Sequence, residues 1–167
     1  MVAFDVYRSE RKRKYWRIGM SCLSWLENVV KKGSANGLGM LLLLKAMQLC
    51  SKRNAQSAKI REAFEAAIVS ITRAGFKSLG AMANEKAGEA MDRLGDSYWA
   101  GYYFRRAHEL YVEWGASIKA QQMLAKHDVL LHEGSSVFGN TKGGGNMLGR
   151  QRFDQVKVEP KQLDLNG

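Results

Sequence analysis

The stretch Ala81–His127, AMANEKAGEAMDRLGDSYWAGYYFRRAHELYVEWGASIKAQQMLAKH, decides the fold. It divides at Gly95 and Gly115 into three segments, each with apolar residues at helical spacing and none with strand-like alternation. Small residues Gly80, Ala81, Ala83, Ala87, Gly88 and Ala90 crowd the segment from about Lys77 to Leu94, which permits close approach of a second helix. Asp96 or Ser97 caps the next segment, which runs to Trp114 and is dense in aromatics. In it Ala100, Phe104 and Ala107 must be core, whereas Tyr98, Trp99 and Tyr102 are candidates for a groove.

Outward from this stretch the same grammar holds. Phe64, Ala67 and Gly75 recur as Phe104, Ala107 and Gly115 at a step of about forty residues, and Gly33 precedes Gly75 by nearly that step. We count six helical segments. The first runs from about Val6 to Lys32, with Ile18, Cys22, Trp25, Leu26 and Val29 as an apolar stripe. The second spans about Leu38 to Lys52 with Asn36 as its N-cap, and the third about Ser57 to Ala74 with Phe64, Ala67 and Ile71 inward. The sixth spans about Ser117 to Leu131. Each helix pair has an apolar face it cannot bury alone, so the expected fold is all-α, with antiparallel hairpins stacked as an α-solenoid.

The domain reading is a basic extension over 1–14, the helical repeat over 15–132 and a tail over 133–167. Seven of the seventeen glycines fall in that tail, which therefore reads as a flexible extension with a short helix or strand at most near Arg152–Val158.

Ala87 and Gly88, then Ala100, Phe104 and Ala107, fit the small-small and Ala-aromatic-Ala positions of the tetratricopeptide pattern. Asn84 and Met91 stand where that pattern has large aromatics, and Val112 replaces its usual proline. More particularly, Asn84-Glu85 with Ala87, then Ala100, Tyr103 and Ala107, then Tyr111, Trp114-Gly115-Ala116 and Lys119-Ala120 resemble the helical segment of large multidomain signalling proteins. In that family the segment follows a protein-kinase-like domain and an ATPase of the AAA or STAND kind, and precedes sensor, histidine-kinase or cyclase modules. The resemblance covers about Tyr15 to Lys126 and implies a protein-interaction or regulatory arm. Nucleotide binding and phosphotransfer lie in the family's other domains, so no catalytic residue is carried over.

Composition narrows the alternatives. With 46% hydrophobic residues and Pro160 as the single proline, the body should fold. Cys22 and Cys50 have no CxxC spacing and read as buried thiols in a reducing, cytoplasmic setting. The apolar run Leu41–Leu44 is far too short for a bilayer span, and no signal-peptide pattern opens the chain. The net charge of +10 draws on Arg8, Arg11, Lys12, Arg13, Lys14 and Arg17, interleaved with Tyr7, Tyr15 and Trp16. This makes a nucleic-acid or acidic-membrane binder the second reading, behind a solvated helix face.

No constellation in the sequence promotes catalysis, a cofactor or a metal. Gly139–Gly149 lacks the order of a phosphate loop and reads as a linker. His108, His127 and His132 lack ligand spacing and are expected at the surface or at helix ends. Glu85, Glu89, Asp92 and Arg93 read as solvated helix charges. The expected partner is a protein or peptide segment, or a neighbouring domain, held in a groove lined by Asn84, Lys86, Met91 and Tyr98.

Overall fold

A computed structural model of the chain describes residues 1–52 and 55–136. Among them are seven α-helices and no strand: α1 (Val2–Glu10), α2 (Arg13–Lys31), α3 (Leu38–Cys50), α4 (Ser57–Arg73), α5 (Lys77–Arg93), α6 (Ser97–Trp114) and α7 (Ser117–Ser136). Consecutive helices pack on one another, most broadly α5 on α6. Smaller contacts beyond sequence neighbours join α3 with α5 and α1 with α3.

Four helices end in the same way. Gly33, Gly75, Gly95 and Gly115 adopt left-handed backbone, with φ of 99°, 75°, 77° and 85°. At each end the following N–H returns to the carbonyl five residues back, as Ser34 to Val29, Phe76 to Ile71, Asp96 to Met91 and Ala116 to Tyr111. This double-bonded Schellman closure needs a residue without a Cβ penalty at positive φ, which is why glycine marks the ends so legibly. From Gly75 onward the step is twenty residues per helix, half the interval read from the sequence.

The start of the chain departs from the expected single helix. Arg11, the only non-glycine residue at positive φ among the described residues (φ 55°), separates α1 from α2. Its guanidinium donates to the Ser51 carbonyl at 3.3 Å and lies over the Tyr7 ring at 5.7 Å, contacts that hold the turn without a glycine to announce it. Six segments thus become seven, and part of the basic extension 1–14 is a helix whose Phe4 is in the core.

The doubled-back α1 also resets the buried face of α2. Phe4 seats on Gly19, and Gly19, Leu23 and Leu26 turn inward. Ile18, Cys22 and Trp25, expected to face apolar neighbours, are exposed, and Cys22 is not a buried thiol. Asn36 is not a cap: a 3₁₀ turn, Ala35–Gly37, leads into α3, whose N-cap is Gly37 with no side-chain bond. Asp96 does cap α6, its carboxylate accepting from the Trp99 N–H at 3.2 Å.

α7 continues to Ser136, past the expected end at Leu131, and leaves helical geometry at His127, with φ −126° and ψ 26°. The linker Gly139–Gly149 and the segment Arg152–Val158 lie outside the described residues.

Candidate peptide-binding cleft

The first turns of α6 carry four aromatic residues in a row of tilted rings. Tyr98 meets Trp99 at 5.5 Å and 87°, Trp99 meets Tyr102 at 5.5 Å and 79°, and Tyr102 meets Tyr103 at 5.3 Å and 74°. Edge-to-face rings at such spacing brace one another through their quadrupoles. Helical spacing divides them: Tyr103 is buried and Trp99 half-buried, whereas Tyr98 and Tyr102 point outward at 74% and 48% exposure.

α4 forms the opposite wall with Glu65, Ile68 and Val69, enclosing with α6 a cleft of about 410 Å³. Arg61 lies 4.3 Å over the Trp99 ring and 3.4 Å from Glu65, and the Tyr103 hydroxyl donates to Glu65 at 3.2 Å. Burial first, then the Glu65 carboxylate, push the Tyr103 phenol well up, so it remains a donor and fixes the wall. Asn84 of α5 also borders the cleft, its amide donating to the Gly80 carbonyl at 2.8 Å. Arg106, paired with Glu109 at 2.8 Å, stands at the rim.

The four residues expected to line one groove are not brought together. Tyr98 and Asn84 border this cleft, Asn84 from a buried position. Lys86 points toward α1, pairing with Asp5 at 3.1 Å and with Glu89 at 2.8 Å. Met91 has no exposed surface and belongs to the core. The α4 wall was missed, although Arg61 and Glu65 at i, i+4 with Val69 beyond them describe that face.

Two polar features of α5 and α7 also depart from expectation. Glu85 is buried rather than solvated, its carboxylate accepting from the Tyr111 hydroxyl at 2.8 Å and Lys119 at 2.7 Å. His127 is buried rather than at the surface, stacked on Phe104 with centroids 3.7 Å apart. Among the described residues no group of three or more His, Cys, Asp or Glu side chains is placed to hold a metal ion, and no helix is long and apolar enough to cross a membrane. No family model matches the chain, nor does any curated protein or solved structure.

Proposed function

We propose that the chain is a non-catalytic interaction module of tetratricopeptide-like stacked hairpins, which holds an extended peptide segment of a protein partner in the cleft between α4 and α6. The observation that carries this reading is the exposed pair Tyr98 and Tyr102, braced on Trp99 above a preformed cavity. Rigid aromatic rings offer large contact area at low entropy cost, the composition that dominates binding hot spots. The repeated glycine closure at Gly75, Gly95 and Gly115 supports the hairpin-repeat reading, since one structural unit recurs at a fixed step. On the resemblance read from the sequence, such a module would serve as a regulatory arm of a multidomain signalling ATPase or kinase.

Selection of displayed peptides on the full chain, counter-selected on Tyr98→Ala with Tyr102→Ala, tests the proposal. Enriched peptides should produce a tryptophan fluorescence change that Trp99→Phe removes, and lose roughly tenfold or more in affinity for the double variant. Enrichment of no sequence, or equal binding to the variant, would refute it.

A further inference from the structure

A second cleft, of about 440 Å³, lies at the opposite end of the sequence pattern and is built from different chemistry. Tyr7 and Trp16 line it with Arg11, Ser51 and Lys52. The two rings, 5.1 Å apart and tilted, are half-buried, and Trp16 is braced from behind by the Phe4 edge at 5.6 Å. Arg13 precedes Trp16 by one helical turn, so it shares that side of α2.

The charges around this cleft are unevenly matched. Asp5 holds Arg8 at 3.0 Å and Glu10 holds Lys12 at 2.8 Å. Among the described residues no acidic side chain pairs with Arg11, Arg13, Lys14, Arg17 or Lys52, all of them exposed. Lys12, Arg13 and Lys14 occupy the N-cap and first turn of α2, and that first turn holds no acidic residue. Cations there oppose the helix dipole, so this arrangement works against the helix's own stability. Lys12 recovers a pair with Glu10 and Lys14 lies over the Tyr15 ring at 4.8 Å, but Arg13 gains neither, and local rules broken in this way cluster where a surface serves a ligand.

We infer that this cleft binds single-stranded nucleic acid, a base resting against Trp16 and Tyr7 while Arg11, Arg13 and Lys52 contact the flanking phosphates. Aromatic faces beside a cationic track are the two elements such binding requires, because stacking tolerates any base and the phosphates supply most of the affinity. An acidic membrane would instead take up the exposed Ile18 and Trp25 of α2, neither of which lines this cleft, whereas Tyr7 and Trp16 are half-buried as its walls. The site is separate from the α4 and α6 cleft, and neither proposal depends on the other.

The test is fluorescence anisotropy of a labelled oligothymidylate with the full chain at increasing salt, beside phosphatidylserine vesicles. Binding to the oligonucleotide should weaken linearly with log salt, by a slope of roughly −0.7 per phosphate engaged. Arg13→Glu with Lys14→Glu should weaken it about tenfold or more while melting temperature holds or rises, since acids suit that helix start. Opposite movement of binding and stability separates loss of the site from loss of the fold. Trp16→Leu, which keeps an apolar contact for Phe4, should leave the salt slope unchanged and lower affinity roughly five- to a hundredfold. Should that variant unfold, Arg11→Gly with Lys52→Gln provides the second measurement and should also weaken binding, as glycine suits the left-handed turn. Absent binding at low salt, wild-type affinity in any of these variants, or binding to vesicles without the oligonucleotide would each overturn the assignment.

Discussion

The ring of Phe104 rests directly against the α-carbon of Gly88, so closely that a Cβ added there would stand 2.6 Å from its Cδ1 atom. Phe104 has no exposed surface and is held on its other side by His127, so it has nowhere to retreat. Phe4 bears the same relation to Gly19, with its Cε1 at 2.6 Å. In both places a helix gives up a side chain so that an aromatic ring of its hairpin partner can fill the space at crystal-like density.

Gly88→Ala should therefore destabilise the protein, although alanine favours a helix interior by about 1 kcal/mol. Overpacking against an immobile ring outweighs that gain, and we expect a net loss of about 1–3 kcal/mol in urea unfolding. Phe104→Leu on the Gly88→Ala background should recover part of the loss. Strict additivity of the two changes would argue against the contact as the cause.

Glu85 ties three helices together, with Tyr111 of α6 and Lys119 of α7 each donating to a different carboxylate oxygen. Glu85→Ala should cost about 1.5–3 kcal/mol, since it leaves the Tyr111 hydroxyl without its partner and removes a charge-assisted bond. Tyr111→Phe should cost about 1 kcal/mol. The double variant should show an interaction energy of at least about 0.5 kcal/mol, because both changes remove the same bond. Independent effects would mean that the carboxylate is held by Lys119 alone.

The helical segments α4, α5 and α6 were legible because glycine at positive φ ends them and because small residues face large ones at fixed spacing. Phe104, Ala107, Ile71 and Phe64 are buried as their periodicity requires. The first two helices were not legible for a physical reason: Arg11 makes the left-handed turn that glycine makes elsewhere, and its supporting contacts to Ser51 and Tyr7 depend on tertiary structure. Once that turn was read as helix, the inward face of α2 was displaced from Leu23 to Cys22 and Trp25. Of the proposed groove residues, Tyr98 and its aromatic neighbours were accessible to reasoning from one helix. Lys86 and Met91 were not, because their surroundings are set by tertiary packing: Asp5 of α1 meets Lys86, and Met91 is sealed in the core.

The two cysteines should react very differently. Cys22 is exposed beside Trp25 on the outer face of α2, whereas Cys50 is half-buried near the end of α3. Burial pushes the Cys50 thiol up to about 11, with Arg93 and Arg8 pulling the other way. Only thiolate attacks, so a neutral thiol reagent in mildly alkaline buffer should modify one cysteine quickly and the second only in denaturant. Fast modification of both in the native protein would contradict the placement of Cys50, and Cys22→Ser should abolish the fast phase.

Acid should loosen the attachment of α7 through His127. This imidazole is buried, its Nε2 has no hydrogen-bond partner among the described residues, and it stacks on Phe104 at the point where α7 leaves helical geometry. Burial first, then the neighbouring Lys126, lower its pKa, while Asp92, Glu89 and Glu85 of α5 act in the opposite sense. A lowered folded-state pKa means that the unfolded chain binds the proton more readily, so stability rises with pH across the interval between the two values. The contribution is complete above the ordinary imidazole value of about 6.5 and is lost as pH falls below it. Urea midpoints measured from about pH 8 down to about pH 5.5 should fall for the native sequence. His127→Phe keeps the stack on Phe104 and carries no proton, so it should flatten that slope and raise stability at the acid end. An unchanged slope in this variant would assign the titration to another group and leave the enclosed imidazole without a role in acid sensitivity.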